Sequence, residues 1–216
     1  MGIPDSQLQT WTNQGSVTQS STTYATIKGA LEAPDAGYAD QSFKIFLQGS
    51  YCNDTNVWFD SDVDIVIRLD SVFHFDLRLI TPPEAVAFHT ANPGSASYTY
   101  DAFKADVMKA LTKRFGTAAV TAGEKAITIR ADGGRRSADV VVATQFKRFR
   151  KFPASLDEVD IGACLFTKLG IRIANYPEQH SKFCTVKHQS TNSRFKPMVR
   201  IFKNMRNRLG ERWGTR

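Results

Sequence analysis

Apolar residues recur along this chain with two periods, one helical and one of strand type. Between about residues 17 and 31, Tyr24, Ile27, Ala30 and Leu31 fall on one helical stripe. Ser16 is the expected cap, or Ser20 if the helix starts later, and Ala33-Pro34-Asp35-Ala36-Gly37 closes it. A short helix over 5–14 places Leu8 and Trp11 on one face. Residues 100–115 form an amphipathic helix: Phe103, Val107, Ala110, Leu111 and Phe115 face inward, Lys104, Lys109 and Lys113 outward, and Gly116 supplies the C-cap. A last helix covers 191–209. Phe195, Met198, Val199, Phe202, Met205 and Leu209 are expected inside, with Arg194, Lys196, Arg200, Lys203, Arg206 and Arg208 outside or at the rim. Pro197 suits the first turn, which moves the start to near Ser193.

Strand patterns separate these helices. They cover 43–48, 62–69, 118–121, 126–130, 137–142 and 170–175. Asp132-Gly133-Gly134 reads as a hairpin turn, Asn92-Pro93-Gly94 as a loop and Tyr176-Pro177 as a turn. Val72 to Asp76 is aromatic and apolar, a lid or a strand extension, with His74 structural rather than catalytic. Pro82-Pro83-Glu84 opens a short segment, and 158–168 has no clear period. The link between the two halves is expected around 143–160.

Residues 45–69 hold the candidate chemistry. An apolar strand ends at Gln48, Gly49-Ser50 turns, a polar loop comes next, and a second strand opens with Asp62 and Asp64. Alternation points both carboxylates one way and sends Val63 and Ile65 into the core. Two carboxylates held that close repel unless a cation lies between them. A hard divalent ion with oxygen ligands, Mg²⁺ first, suits them. The turn offers backbone N–H groups, and Ser50 a hydroxyl, to a phosphate. Asp139 lies in a strand otherwise suited to burial, so it needs a partner. It either pairs with Arg130, Arg135 or Arg136, or joins Asp62 and Asp64 in a three-carboxylate metal cluster; the second reading is favoured.

Charge extends this picture. The 216 residues carry 28 Lys and Arg against 21 Asp and Glu, a net charge of +7. Much of the excess lies in Phe146-Lys147-Arg148-Phe149-Arg150-Lys151 and in 194–216. An anionic partner is implied, nucleoside triphosphates or nucleic acid. No apolar run approaches the roughly 20 residues of a membrane span, and the N-terminus lacks a signal peptide's basic start and apolar run. Three scattered cysteines, Cys52, Cys164 and Cys184, with no CxxC pair, favour a reducing cytoplasm. His180, Cys184 and His188 recur every four residues, but a structural zinc wants four ligands and no fourth is evident, so no zinc is expected.

The motif Gln48-Gly49-Ser50-Tyr51 with Asp62-Val63-Asp64 and a downstream Asp139 resembles the DNA polymerase beta-like nucleotidyltransferase superfamily. Asn53, Thr55, Ala138-Asp139-Val140-Val141, Asn175-Tyr176-Pro177 with His180, Arg194-Phe195-Lys196 and Val199-Arg200-Ile201-Phe202-Lys203 extend the likeness to the bacterial cGAS/DncV-like nucleotidyltransferases. Enzymes of that family make cyclic oligonucleotide second messengers in antiphage defence. The resemblance implies an α+β fold: a polymerase beta-like core with a mixed twisted sheet flanked by helices over 1–160, then the start of a truncated C-terminal helical lobe over 161–216. It implies that Gly49 and Ser50 hold the donor triphosphate and that Gln48 supports the turn. Asp62 and Asp64 would bridge two Mg²⁺ ions (or Mn²⁺), and Asp139 would bind the catalytic ion and help deprotonate the attacking ribose hydroxyl. Lys203 would meet the phosphates. Nucleoside triphosphates are then the substrates, pyrophosphate is released, and the family allows an activating protein partner; nucleic acid is not required and no membrane is involved. Nucleotidyl transfer to an RNA end or a protein, and a non-catalytic nucleotide- or RNA-binding module, are the competing readings.

Overall fold

A computed structural model of the chain describes residues 2–15, 17–58 and 62–213, with positions 211–213 described through the backbone alone. Ser16, an expected helix cap, and Ser61, beside the Asp62 motif, lie outside the described residues. Helices α1 (Asp5–Trp11) and α2 (Val17–Leu31) lead into strand β1 (Phe43–Leu47) and a single-turn helix, α3 (Gly49–Cys52). Strand β2 (Val63–Asp76) and helices α4 (Pro82–Ala91) and α5 (Tyr100–Phe115) come after it. Next are β3 (Val120–Ala122), β4 (Ile127–Ile129), β5 (Ala138–Phe149), β6 (Val159–Phe166) and β7 (Arg172–Asn175). Helices α6 (Pro177–Ser190) and α7 (Phe195–Trp213) finish the chain.

All seven strands join one mixed sheet of order β1-β2-β5-β4-β3. The two long strands, β2 and β5, run parallel at its centre. On its other edge β5 pairs antiparallel with β4 over Ala138–Val140 and with β6 over Thr144–Phe149, and β7 continues from β6. The stretch expected to link two halves at 143–160 is therefore half strand, the end of β5 and the start of β6. The expected boundary at 160/161 falls inside β6, and the helices after the sheet begin at Pro177. The aromatic stretch 72–76 extends β2, after a register shift between Leu69 and Phe73 that pairs Phe73 with Gln145.

The sheet's first face takes the main core. Val63, Ile65, Ile67 and Leu69 of β2 and Ala138, Val140 and Val142 of β5 pack there against Ile27 and Leu31 of α2 and Phe103, Val107 and Leu111 of α5. β-Branched residues dominate these strands because they pack well on a pleated surface. The second face holds a smaller cluster, Val66, Val141, Ala143, Ala163 and Leu165. Arg68 also faces this side, with its side chain 1% exposed. Burying a guanidinium requires partners. Asp70 provides a two-pronged one at 2.6 and 3.3 Å, and Glu178 of α6 another at 3.0 Å. The Phe46 ring lies 5.6 Å from the guanidinium carbon. This charge ties the sheet to α6.

Helix α7 departs from expectation. Met198, Phe202 and Leu209, expected inside, are 46%, 61% and 52% exposed. The helix leans on α1 and α6 alone among its larger contacts, so only part of its apolar stripe is covered.

At the end of β2, Asp76 is 5% exposed and accepts hydrogen bonds from Arg78 at 2.7 and 2.9 Å and from Arg148 at 3.3 Å. These donors, Arg78 first, hold its carboxyl well below the usual carboxylate range. The folded state thus binds this proton less readily than the unfolded chain. The resulting stability is present above about pH 4 and is lost as the pH falls below it. Asp76→Asn is expected to cost about 1–3 kcal/mol at neutral pH and much less in acid, read by urea unfolding. An equal cost at both pH values contradicts this.

Candidate active site

Parallel register places Asp64 directly beside Asp139, and their neighbours Val63 with Ala138 and Ile65 with Val140. Those neighbours belong to the first-face core, so both carboxylates rise from the second face. On its other side Asp139 is paired with Thr128 of β4, whose hydroxyl donates to Asp139 Oδ1 at 2.7 Å. None of the three arginines weighed as partners forms an ion pair with Asp139 among the described residues: Arg135 is taken by Asp132 and the Arg130 carbonyl. Asp62 lies just ahead of β2, exposed, and accepts from the Ser137 hydroxyl. No three His, Cys, Asp or Glu side chains gather as a ligand set among the described residues. Two of the expected trio are thus in register, while Asp62 is turned to Ser137.

The Gly49–Ser50 turn comes to the same place through β1. Gln48 N–H donates to the Asp64 carbonyl at 3.0 Å, the last bond between these strands. The chain then turns at Gly49 in a left-handed conformation, φ 68°. A Cβ on Gly49 would run into the Asp64 carboxylate. The position therefore needs glycine twice over, for φ and for space. Two hydrogen bonds brace the turn from its downstream side. Asn53 Nδ2 donates to the Gly49 carbonyl at 2.9 Å, and Thr55 N–H to the Ser50 carbonyl at 2.9 Å. Asn53 Oδ1 is buried with no partner among the described residues. The donor set here is all oxygen, on two adjacent strands, with a side-chain-free turn against one carboxylate. It fits a hard divalent cation and the phosphates that would share it.

Helix α7 lies against the segment that follows the turn, at Asp54. Lys196, Arg200 and Lys203 share one face at i, i+4 and i+7. Lys196 Nζ pairs with Asp54 at 2.7 Å, Arg200 donates to the Asp54 and Thr12 carbonyls, and Lys203 lies about one turn later, half-buried. His180, Cys184 and His188 lie on α6, where His188 Nδ1 accepts from the Lys196 N–H at 3.4 Å and Cys184 Sγ lies 4.0 Å from the Asn53 carbonyl. Burial raises the Cys184 thiol, and pushes that of Cys164 up to about 11. A cavity of about 1010 Å³ lies at the other end of β2, lined among others by His74, Tyr98, Tyr100, Lys104 and Lys168. It includes no predicted site residue. His74 there is bonded through Nδ1 to Thr144 Oγ1 at 2.8 Å and stacked edge-on with Phe166, a structural setting.

The sequence places Lys196 and Arg200 outside or at the rim of a basic helix face and does not show that both reach Asp54. Their i, i+4 spacing next to Lys203 is the signal that could have found them.

Residues 182–214 match the cGAS/DncV-like nucleotidyltransferase C-terminal helical domain. A cyclic UMP-AMP synthase of Rhodothermus marinus is 34% identical over 212 residues, covering 98% of this chain and 70% of the relative. The structure of the Rhodothermus marinus CdnE c-UMP-AMP synthase with Apcpp and Upnpp superposes with a TM-score of 0.85 at 33% identity, covering 98% of this chain and 70% of that one. A cyclic dipyrimidine nucleotide synthase of Legionella pneumophila is 37% identical over 186 residues, 86% of this chain and 61% of its own length. The CdnE cyclic dinucleotide synthase of Elizabethkingia meningoseptica, solved with GTP and Apcpp, gives a TM-score of 0.74 at 31% identity, covering 97% of this chain and 68% of that chain. This chain thus spans roughly two thirds of the length of these relatives.

Gly49→Ala tests the close approach of turn and carboxylate. It is expected to weaken binding of magnesium-ATP by roughly tenfold or more, since the turn or the Asp64 carboxylate must move, with the core still folded by circular dichroism. Unchanged affinity in calorimetry would count against the arrangement.

Proposed function

The chain belongs to the cGAS/DncV-like nucleotidyltransferases, and we propose that it joins nucleoside triphosphates into a cyclic or short linear oligonucleotide, releasing pyrophosphate. The observation that carries this reading is the in-register pair Asp64–Asp139 with the Gly49 turn packed on Asp64. Asp62, Asp64 and Asp139 would hold two Mg²⁺ or Mn²⁺ ions, Asp62 from its exposed position at the mouth of β2. The ions, when bound, neutralise charge on the attacking and leaving oxygens of an in-line displacement at the α-phosphate. The protein's own part is positioning and charge. Gly49 and Ser50 present N–H groups and a hydroxyl to the triphosphate, Gln48 anchors the turn to Asp64, and Lys203 meets phosphate oxygens from α7. Asp139, whose carboxylate is oriented by the Thr128 hydroxyl, would take the proton of the attacking ribose hydroxyl.

These relatives make a pyrimidine–purine, a dipyrimidine and an unspecified cyclic dinucleotide product. In this reading the aspartates and the turn account for the transfer, and other residues for the choice of base. We assign 1–176 to the nucleotidyltransferase core and 177–213 to the beginning of the helical lobe, because β6 and β7 belong to the sheet. Antiphage signalling in the cytoplasm, with an activating protein partner, is the setting the family suggests; the three free cysteines suit it. No helix among the described residues is long and apolar enough to cross a membrane.

Incubation with all four NTPs and Mg²⁺ is expected to release pyrophosphate and yield a small oligonucleotide, identified by mass spectrometry. Asp64→Asn and Asp139→Asn should each slow release by at least about 10²-fold. Label carried to RNA or protein would favour single nucleotidyl transfer. No pyrophosphate from any mixture, or equal release from the variants, would sink the proposal.

A further inference from the structure

We infer that Lys196 and Arg200 are positioning residues for the triphosphate turn, through which α7 governs the affinity of the nucleotide site. The inference rests on the reading of Gly49–Ser50 as that turn.

The link runs through Asp54. This residue adopts a left-handed backbone, φ 54°, a conformation that Asp tolerates better than most non-glycine residues. Both of its polar ends are gripped from α7. Its carboxylate receives Lys196 Nζ at 2.7 Å, from a lysine side chain only 12% exposed. Its carbonyl accepts from the Arg200 guanidinium. The same guanidinium donates through Nε to the Thr12 carbonyl at 2.5 Å, so the arginine is itself fixed against the end of α1. The Lys196 side chain is largely buried but the Asp54 carboxylate is half exposed, so solvent screens this pair in part, and the doubly anchored Arg200 guanidinium supplies the second hold.

Asp54 stands between the two residues that brace the turn. Asn53 on one side bonds the Gly49 carbonyl, and Thr55 on the other bonds the Ser50 carbonyl. Moving residue 54 therefore moves both braces together. The face of α7 that grips Asp54 also carries Lys203 at its next turn. One rigid helix thus sets two sides of the triphosphate site, the turn and the lysine. A shift of α7, whatever produces it, reaches the turn through a single residue with discrete contacts.

Steady-state kinetics with the NTPs that the wild type consumes test this. Asp54→Asn keeps a side chain that tolerates positive φ and removes the charge. Lys196→Met keeps the stem and removes the ammonium. Each is expected to raise the KM for NTP by roughly fivefold or more, the lower range of coupling between sites, with kcat within about twofold. The double variant should be no worse than either single one, because both remove one interaction. Lys196→Arg should restore the wild-type KM. A purely structural tie would instead lower the active fraction, and so kcat, with KM unmoved. An unchanged KM in both single variants, or additive effects in the double one, overturns the inference. If the wild type releases no pyrophosphate, the proposed activity fails by itself. The same variants are then read by calorimetry with magnesium-ATP: weaker binding supports the positioning role, and equal binding, or none by the wild type, overturns it.

Discussion

The parallel pairing of β2 with β5 sets the geometry of the whole site. Two remote segments, 63–69 and 138–144, become neighbours only because these strands run side by side in one register. A slip of one residue would send Asp139 into the first-face core and bring Val140 beside Asp64. The fully buried aliphatic residues of the first face resist that slip, since every one of them would move to the wrong side. The hydrophobic pattern that stabilises the fold is thus the same device that aligns the carboxylates. Thr128 adds a hydroxyl on the outer side of Asp139, so the acid is oriented from both neighbouring strands.

Besides Lys196, which pairs with Asp54, two arginines join the sheet and its turn to the C-terminal helices. Arg68, buried among Asp70, Glu178 and Phe46, binds the second face to α6. Arg200 binds the Asp54 segment and α1 to α7. Each is a buried or half-buried cation with its donors engaged, and such pairs are costly to break by removing one partner. Apolar packing does less here than in the core: Met198, Phe202 and Leu209 remain exposed. The attachment of α7 is therefore directional, made of a few polar contacts rather than a broad interface. That is why a small number of residues can govern its relation to the turn.

The core was well marked in the sequence. Alternation along 62–69 and 137–142 separates Asp64 and Asp139 from their buried neighbours, and the helices over 17–31 and 100–115 carry clear stripes. Less was legible where structure comes from tertiary contacts. Arg68 looks like a break in an apolar strand, and only its partners on β2 and α6 explain it. Helix α6 has a polar, weakly patterned sequence and forms beneath the sheet; α3 is a single turn held by Asn53 and Thr55. β6 contains Gly162, a poor strand former, at a point where a Cβ would strike the Asn175 carbonyl of β7. The direction of Asp62, toward Ser137, depends on the end of the strand and not on its period.

If the site works as proposed, Asp64 and Asp139 share a metal next to the Gly49 turn. A crystal structure with Mn²⁺ and a non-hydrolysable triphosphate analogue puts this to the test without any assay of turnover. An anomalous peak is expected between the two carboxylates, with the triphosphate lying along Gly49 and Ser50. A triphosphate bound elsewhere, or manganese absent from between Asp64 and Asp139 while the analogue is bound, would contradict it.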